Sequence, residues 1–227
     1  SIRGSSLRSP FGVRNVNIYW NGIPSTDAGG NTFLSLLDRQ NMNGLEVIKG
    51  PAGSMFGAGT GGVMKFKSTS YVNLANSVKA QFSTGSFGLV RYGVEANTTT
   101  AKAAWTAKFV QHQSEGYRDH NAMRRTVLEL DGLLFSSEKR TLESSLIYSD
   151  LFYEIPGGLT REQMEENPRQ ARPRSAGQNA SIDHQLLLFK IGQDYDFQNG
   201  LSNQTQVFGS YRQFENPFIL DYKRDEE

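Results

Sequence analysis

A glycine-rich stretch, LEVIKGPAGSMFGAGTGGVMKFKS at residues 45–68, is the first part of this chain whose residue types could do chemistry. Glycine-rich loops that lead into a helix bind phosphate through backbone amides. This stretch has no Gly-Lys-Ser/Thr ending, and no helix pattern follows it. Because glycine adopts positive φ and lets neighbouring strands approach closely, we interpret these glycines as turn and packing residues.

Arginines are concentrated in a second candidate region, a long polar segment at residues 151–181. Guanidinium groups hold carboxylates through two parallel hydrogen bonds, so a group of them suits an anionic ligand. The set is Arg161, Arg169, Arg172 and Arg174. The alternative is a solvated loop whose arginines pair with Glu162, Glu165 and Glu166.

Other reactive residue types define no site. The chain has no cysteine, which excludes disulfides, thiolate metal ligands and a cysteine nucleophile. His112, His120 and His184 lack the spacing of metal ligands. No serine-centred nucleophile motif and no paired-carboxylate motif stands out. We therefore expect neither an enzyme nor a resident metal or cofactor.

Charge and hydropathy narrow the class of protein. The formal net charge is +1, and basic residues are not clustered as nucleic-acid binding requires. No apolar run is long enough for a transmembrane helix, and the start of the sequence lacks a signal-peptide pattern. Strands of a membrane barrel present only alternate residues to lipid, so a low mean hydropathy is compatible with a membrane protein.

The texture of the sequence changes near residues 71–77. The earlier part is rich in Gly and Ser. Its strand patterns are at residues 12–20, 45–49 and 61–67, and a helical-turn pattern is at 32–38. The later part contains alternating segments with no helix pattern between them. We therefore predict a small mixed α/β domain at 1–72 and an antiparallel β domain at 73–227.

Seven segments of the second domain alternate apolar and polar residues, as strands do when their two faces differ. They are VKAQFST, LVRYGVEAN, AAWTAKF, RTVLELDGLLF, TLESSLIYS, HQLLLFKIGQDYDF and LSNQTQVFGSYRQ. The polar face carries full charges such as Glu129 and Asp131. Ile147 and Phe208 are apolar residues that break the alternation.

A soluble antiparallel sandwich also has alternating strands. Three features favour a transmembrane barrel instead. Several strands of about 10 to 14 residues match tilted membrane-crossing strands, and the charged face suits a wet or filled lumen. Short connections such as SSEKR and QNG also alternate with long ones such as SEGYRDHNAMR and residues 151–181. Single-chain barrels have an even number of strands. With seven strands and YKRDEE interpreted as an outer loop, we expect a fragment of a longer barrel.

The glycine-rich stretch resembles the end of the plug domain of TonB-dependent outer-membrane receptors. In that family a Glu-Val-Ile-Lys/Arg-Gly-Pro strand leads into an aromatic-Gly turn, then Gly-Gly-Val and a final strand. Ile2, Arg3 and Gly4 resemble the family's Ile-Arg-Gly opening, and IYWNGIP at 18–24 resembles its apolar strand ending in Asp-Gly or Asn-Gly. PGGLTREQMEENPRQAR resembles a long outer loop of ferric-citrate-type and related siderophore receptors.

The resemblance covers essentially the whole chain and implies a fold and a function. The fold would be mainly β: the C-terminal part of a plug followed by about seven strands of a barrel of about 22. The protein would lie in the outer membrane of a Gram-negative bacterium, in contact with lipid, and import a ferric siderophore or related chelate. TonB and its inner-membrane complex would energise transport through an N-terminal segment outside this sequence. Cobalamin or an oligosaccharide is the alternative cargo, but the loop offers Arg and Glu rather than the aromatic residues that sugars favour.

The resemblance also implies roles for single residues. Ligand contacts on the plug apices would come from Arg8, Ser25, Thr26, Asp27 and Asn31. Ligand contacts on the outer loops would come from Tyr117, Arg118, Arg161, Arg169, Arg172 and Arg174. Glu46 and Lys49 would latch the plug to inward barrel charges such as Glu129 or Glu143.

Overall fold

The computed structural model describes most of the 227 residues. The described residues are 16–26, 31–38, 40, 42–50, 56, 61–69, 71, 74–217 and, for the backbone, 222–226. The family-like opening Ile2, Arg3 and Gly4 lies outside them, as do the predicted ligand contacts Arg8 and Asp27.

Four short strands form the first sheet, which we call the plug sheet. They are β1 (Val16–Trp20), β2 (Ile23–Pro24), β3 (Gly44–Lys49) and β4 (Gly62–Lys67). The order is β2-β1-β4-β3, with β1 and β4 parallel and the other pairs antiparallel. A 3₁₀ turn at Leu34–Leu36 lies within the predicted helical turn. The small mixed unit predicted from the sequence is therefore observed.

One glycine of the opening stretch has a conformation that requires glycine. Gly62, the first residue of β4, has φ of +123°, and a Cβ atom there would collide with the carbonyl oxygen of Ile48 on the paired strand β3. This agrees with the interpretation of the stretch as a turn and packing device.

Substitution of Gly62 by alanine is expected to destabilise the plug sheet by about 1–3 kcal/mol, because the backbone would be strained and the β3–β4 pairing would have to shift. Thermal unfolding of the full-length receptor in detergent would measure this loss. Gly177, at which an added Cβ would meet nothing within 4 Å, provides the control. Equal unfolding temperatures for Gly62→Ala and Gly177→Ala would contradict the assignment.

Eight antiparallel strands form the second sheet, which we call the wall. They are β5 (Ser77–Gly85), β6 (Leu89–Thr99), β7 (Ala104–Ser114), β8 (Met123–Ser136), β9 (Arg140–Glu154), β10 (Ser181–Asp196), β11 (Ser202–Pro217) and β12 (Tyr222–Glu226). Each pairs with the next along the chain. All seven predicted strands are present. The interpretation of YKRDEE as a loop was wrong, because Tyr222–Glu226 continues the sheet beside β11.

Connections between wall strands differ in length at the two ends of the sheet. At one end, the turn side, residues 100–103, 137–139 and 197–201 make short turns. At the other, the loop side, residues 86–88, 115–122 and 155–180 connect the strands. The longest loop holds two short helices, α1 (Arg161–Glu166) and α2 (Pro173–Gly177). It begins at Ile155 rather than at 151 as predicted, since Leu151–Glu154 extends β9.

The two faces of the wall differ as the alternation predicts. One face carries exposed apolar side chains, and the other carries buried polar and charged side chains that contact the plug sheet. The exposed set includes Val78, Phe82, Tyr92, Val94, Phe109, Leu128, Tyr148, Phe189, Ile191 and Val207. An exposed apolar surface that extends over so many strands marks a contact with a membrane or another protein. No helix in the described part of the chain is long and apolar enough to cross a membrane.

The apolar core lies between the plug sheet and the wall. Its buried members are Val16, Ile18, Trp20, Ile23, Leu37, Phe66, Ile147 and Leu188. Ile147 and Leu188 belong to the wall, so Ile147 breaks the alternation because it packs against the plug rather than facing water. Phe208 lies on the same face of β11 as Gln206 and Arg212, which contact Gly22 and Phe33 of the plug. Both exceptions to the pattern are therefore on the plug-facing side.

Candidate functional site

A buried carboxylate fastens the 3₁₀ turn of the plug to the wall. Asp38 is 2 % exposed, and its Oδ2 accepts a hydrogen bond of 2.6 Å from Nη2 of Arg91 on β6. Its Oδ1 lies 3.4 Å from Nη2 of Arg125 on β8. Arg125 is two residues from the loop-side end of β8, so we call this set of Asp38, Arg91 and Arg125 the loop-side junction.

Hydrogen bonds to backbone carbonyls extend the loop-side junction along the turn. Nη1 of Arg125 donates to the carbonyl oxygen of Ser35 at 3.0 Å, and the hydroxyl of Ser149 donates to the carbonyl oxygen of Leu36 at 2.6 Å. The backbone carbonyls of a single 3₁₀ turn lack helical partners, and here side chains of β8 and β9 satisfy them. The turn is thus held by its carboxylate and its carbonyls together.

A second buried carboxylate, on the wall, holds the other end of the plug sheet. Asp131 Oδ1 accepts hydrogen bonds from Ser145 Oγ at 2.6 Å and Asn21 Nδ2 at 3.0 Å. Its Oδ2 accepts from Ser68 Oγ at 2.6 Å and Thr69 Oγ1 at 2.9 Å. Three of these donors belong to the plug side of the contact. We call Asp131 with Asn21, Ser68 and Thr69 the turn-side junction, since Asp131 is nearer the turn-side end of β8.

Lysines of the wall add to the turn-side junction. Lys190 Nζ donates to the carbonyl oxygen of Asn21 at 2.6 Å, and Lys108 Nζ donates to that of Ser68. Tyr71, in the connection between the two sheets, is half-buried beside this junction. Burial raises the pKa of the Tyr71 phenol, and the carboxylates of Asp131 and Glu143 raise it further, so the phenol stays neutral.

The residues predicted to latch the plug have other positions. Glu46 Oε2 lies 3.5 Å from Nζ of Lys65 on the neighbouring plug strand, so its ion pair is within the plug sheet and largely exposed. Lys49 is exposed at the end of β3. The ion pair described for Glu46 is therefore with Lys65, and a latching role for Glu46 and Lys49 stays a prediction. In the described part of the chain, Asp38 and Asp131 are carboxylates that join the plug to the wall.

Three of the predicted plug-apex residues are in the described part of the chain. The hydroxyl of Thr26 accepts from the backbone N–H of Ile18 at 2.9 Å and lies 2.7 Å from the hydroxyl of Thr32. Ser25 lies beside it and, with Thr26, lines a cleft between the plug and the wall. Asn31 is half-buried next to Thr32. Ser25 is thus a side chain at a cleft and Thr26 braces the turn, and the ligand contacts predicted for both stay predictions.

Arg118 has a structural position in the outer loops. Its Nη1 donates to the carbonyl oxygen of Gly157 at 2.7 Å, and its Nη2 and Nε donate to that of Gln170 at 2.8 and 3.1 Å. The backbone N–H of Asp119 donates to the carbonyl of Arg169 at 2.7 Å. Arg118 therefore joins the 115–122 loop to the base of the 155–180 loop. The described contacts give Arg118 a role in loop support, and its ligand contact stays a prediction.

The four predicted loop arginines do not form one cluster. Nε of Arg161 pairs with Glu165 at 2.9 Å on the surface of α1, as the solvated-loop alternative predicts. Arg169 donates from Nε to the carbonyl oxygen of Tyr117 at 3.2 Å, and its guanidinium lies 5.9 Å from the centre of that ring. Arg172 and Arg174 alone share a cleft, of about 500 Å³, with Gly158, Leu159, Thr160, Gln163 and Pro173. This cleft is lined by two exposed arginines of the longest loop.

Metal binding has no support in the described residues, among which no group of three His, Asp or Glu side chains could hold an ion. The described residues instead form a wall whose inner face is covered by the plug sheet, with exposed arginines in the loops at one end. A small sheet is fastened by two buried carboxylates inside a wall of long antiparallel strands whose other face is apolar. These features are those of a plug packed against part of a β-barrel wall.

Comparison with known proteins agrees with that class. Residues 1–63 match the family described as TonB-dependent Receptor Plug Domain. The resemblance of this chain to TonB-dependent receptors, first seen in the glycine-rich stretch, is thus confirmed by the match over residues 1–63. The prediction of a plug followed by barrel strands is confirmed as well.

Solved structures of such receptors have the same fold. The ferric citrate transporter FecA in its unliganded form superposes with a TM-score of 0.72 at 18% identity, over 90% of this chain and 33% of that chain. The ferric-catecholate import receptor Fiu from E. coli K12 gives 0.71 at 15% identity, over 96% and 37%. The pyoverdine receptor FpvA from Pseudomonas aeruginosa PAO1 gives 0.68 at 17% identity, over 90% and 31%. The chain spans about a third of the length of these structures.

Proposed function

We propose that the whole protein is an outer-membrane receptor of a Gram-negative bacterium that imports a ferric siderophore or another ferric chelate. TonB with its inner-membrane complex would supply the energy by rearranging the plug. The plug family of residues 1–63 and the fold shared with receptors named for ferric citrate, ferric catecholate and pyoverdine support this proposal. Transport, rather than catalysis, is what a plugged barrel provides.

The observation that carries the choice of cargo is the loop cleft of Arg172 and Arg174. Both side chains are exposed, and neither has an ion-pair partner among the described residues. Two guanidinium groups at one cleft match an anionic chelate, since each can hold a carboxylate or a pair of neighbouring oxygens through a fork of N–H donors. Neutral oligosaccharides would favour aromatic platforms, which the residues lining this cleft do not offer.

Binding to the full-length receptor in detergent tests the proposal. Quenching of tryptophan fluorescence would be measured with ferric citrate, a ferric catecholate siderophore, ferric pyoverdine, cobalamin and a maltooligosaccharide. We expect one anionic ferric chelate to bind tightly, and the double variant Arg172→Ala/Arg174→Ala to bind it at least about tenfold more weakly, because charge-assisted hydrogen bonds contribute about 1.5–3 kcal/mol each.

Arg161→Ala is the matched control, because Arg161 lies on the same loop and already pairs with Glu165. Its affinity should equal that of the native receptor. Quenching by cobalamin or the sugar alone would overturn the iron proposal. Equal affinity of the double variant and the native receptor would remove the loop cleft from the ligand site while leaving the cargo class intact. Iron-dependent growth in strains with and without TonB would test the energy coupling.

A further inference from the structure

An imidazole joins the two ends of the long loop, where that loop leaves the wall and returns to it. His120, in the 115–122 loop, has a side chain that is only 12% exposed. Its Nε2 lies 2.9 Å from the carbonyl oxygen of Ala180, the last residue of the 155–180 loop. Its Nδ1 lies 3.5 Å from Oε1 of Glu154, the last residue of β9. One ring therefore bridges the exit of β9 and the entry of β10.

Both partners of this ring are acceptors. The carbonyl of Ala180 can only accept, and it already accepts from the backbone N–H of Ile155 at 2.8 Å. Nε2 of His120 is therefore the nitrogen that carries a hydrogen. In neutral imidazole the other nitrogen then has a lone pair, which would face the carboxylate of Glu154. In imidazolium it is a second N–H donor with a positive charge, so only the protonated ring suits both partners.

We propose that His120 is an acid-strengthened brace that orders the long loop as the pH falls. The imidazolium attracts the carboxylate and the neutral ring does not, so the braced state binds more protons than the open state. The brace is therefore present at low pH and is lost as the pH rises through the range in which imidazoles titrate, about pH 5–8. This regulation of the loop is independent of the cargo. Only its effect on affinity, through the cleft of Arg172 and Arg174, rests on the proposed function.

The backbone fixes both sides of the ion pair. Oε2 of Glu154 accepts from the backbone N–H of Ala122 at 2.9 Å, and the backbone N–H of Glu154 donates to the carbonyl of Ala122 at 2.9 Å. His120 has φ of +53°, a conformation that is uncommon outside glycine and often accompanies a functional constraint. A ring and a carboxylate held in this way meet without a large loss of side-chain freedom.

Other charged or titratable residues near the brace have different positions. In the same loop, Arg118 donates to carbonyls of the long loop, and Asp119 is exposed. Arg124 and Asp183 lie on the two strands beside β9 and carry opposite charges. Tyr153 lies on the opposite face of β9, since successive strand residues alternate. The contacting carboxylate is therefore the charge that responds to protonation of the ring.

Hydrogen exchange of the full-length receptor in detergent tests the brace. Exchange would be followed by mass spectrometry at about pH 5 and about pH 8, at the two ends of the imidazole range, and divided by the rate of unstructured peptides at each pH. The reporters are the amides of Ile155 and Arg172, which donate to Ala180 and Pro156 at the base of the loop. We expect them to be at least about threefold more protected at the lower pH, as one partly exposed ion pair would give.

Two variants separate the brace from other effects of pH. His120→Asn removes the titrating ring, and asparagine tolerates a positive φ, so the two pH values should give equal protection. Glu154→Gln tests the sign. Its neutral amide can still accept from Ala122 and can donate to a neutral ring, so the gain in protection at low pH should disappear. His112→Gln is the matched control, because His112 lies within strand β7 rather than in the outer loops, and it should keep the native response.

Equal protection of the native receptor at the two pH values would overturn the inference, as would a pH response that survives in His120→Asn. Native unfolding temperatures would show that the variants remain folded. Affinity for a ferric chelate would be compared between the native receptor and His120→Asn at each pH, so that effects of pH on the chelate cancel. If no ferric chelate binds at either pH, the proposed function fails, and the protection ratio still decides whether His120 is a brace.

Discussion

Replacement of Asp38 by alanine is expected to lower the stability of the plug–wall contact by about 3–5 kcal/mol, the usual cost of removing one partner of a buried ion pair. Asp38 is nearly inaccessible, and Arg91, its partner at 2.6 Å, is also buried. Without the carboxylate, the Arg91 guanidinium keeps its charge but loses its counter-ion. The 3₁₀ turn would then lose this contact with β6 and weaken its contact with β8, because Arg125 loses the same acceptor but keeps its bond to the Ser35 carbonyl.

Urea titration of the full-length receptor in detergent, with protease accessibility of the plug as the readout, would measure this effect. Asp38→Asn should give an intermediate result, since the amide oxygen still accepts one hydrogen bond. Glu46→Gln is the control, because the Glu46–Lys65 pair is exposed and such pairs contribute at most about 1 kcal/mol. Similar plug accessibility in Asp38→Ala and Glu46→Gln would show that the loop-side junction does not hold the plug.

Replacement of Asp131 by alanine is expected to have the second large effect, a loss of about 3 kcal/mol or more at the turn-side junction. Four side chains donate to this carboxylate, and hydrogen bonds to charged groups contribute about 1.5–3 kcal/mol each. The total stays below their sum, because Asn21 Nδ2 also lies 2.7 Å from Ser68 Oγ and can keep that bond.

A double-mutant cycle of Asp131→Ala with Ser68→Ala, followed by the same urea titration, would isolate the coupling. Residues that share a buried hydrogen bond usually couple by about 0.5–3 kcal/mol. Ser145→Ala is the comparison, since Ser145 donates to Asp131 from within the wall rather than from the plug. If Asp131→Ala exposes the plug no more than Ser145→Ala does, the turn-side junction does not anchor it.

Much of the fold follows from the sequence because successive side chains of a strand point to opposite faces of the sheet. The face carrying Glu129 and Asp131 could be separated from the apolar face by counting, and all seven segments are strands. Errors arose where that periodicity fails. Leu151–Glu154 and Tyr222–Glu226 were assigned to loops because they do not alternate clearly, yet both continue wall strands. Ile147 broke the pattern because its neighbour is the apolar plug core and not water.

The residues of the candidate site could not be predicted from the alternation of side chains. Asp38 meets Arg91 across 53 residues and Arg125 across 87, and no spacing rule connects residues that far apart. The family resemblance pointed to Glu46 and Lys49 as the residues that hold the plug. The carboxylates that are buried between plug and wall are instead Asp38 and Asp131. In the long loop, composition identified the arginines. Only the path of the backbone could separate the pair at the cleft, Arg172 and Arg174, from those that brace the loops.

The support given by Arg118 has a consequence for protein engineering. Its guanidinium holds the carbonyls of Gly157 and Gln170, the backbone N–H of Ile155 donates to Ala180 at 2.8 Å, and that of Arg172 donates to Pro156 at 2.8 Å. The base of the long loop is therefore closed by main-chain atoms. We expect residues 158–168, outside that closure, to form an exchangeable cassette, in which sequence can be diversified or transplanted without disturbing the strands that carry it.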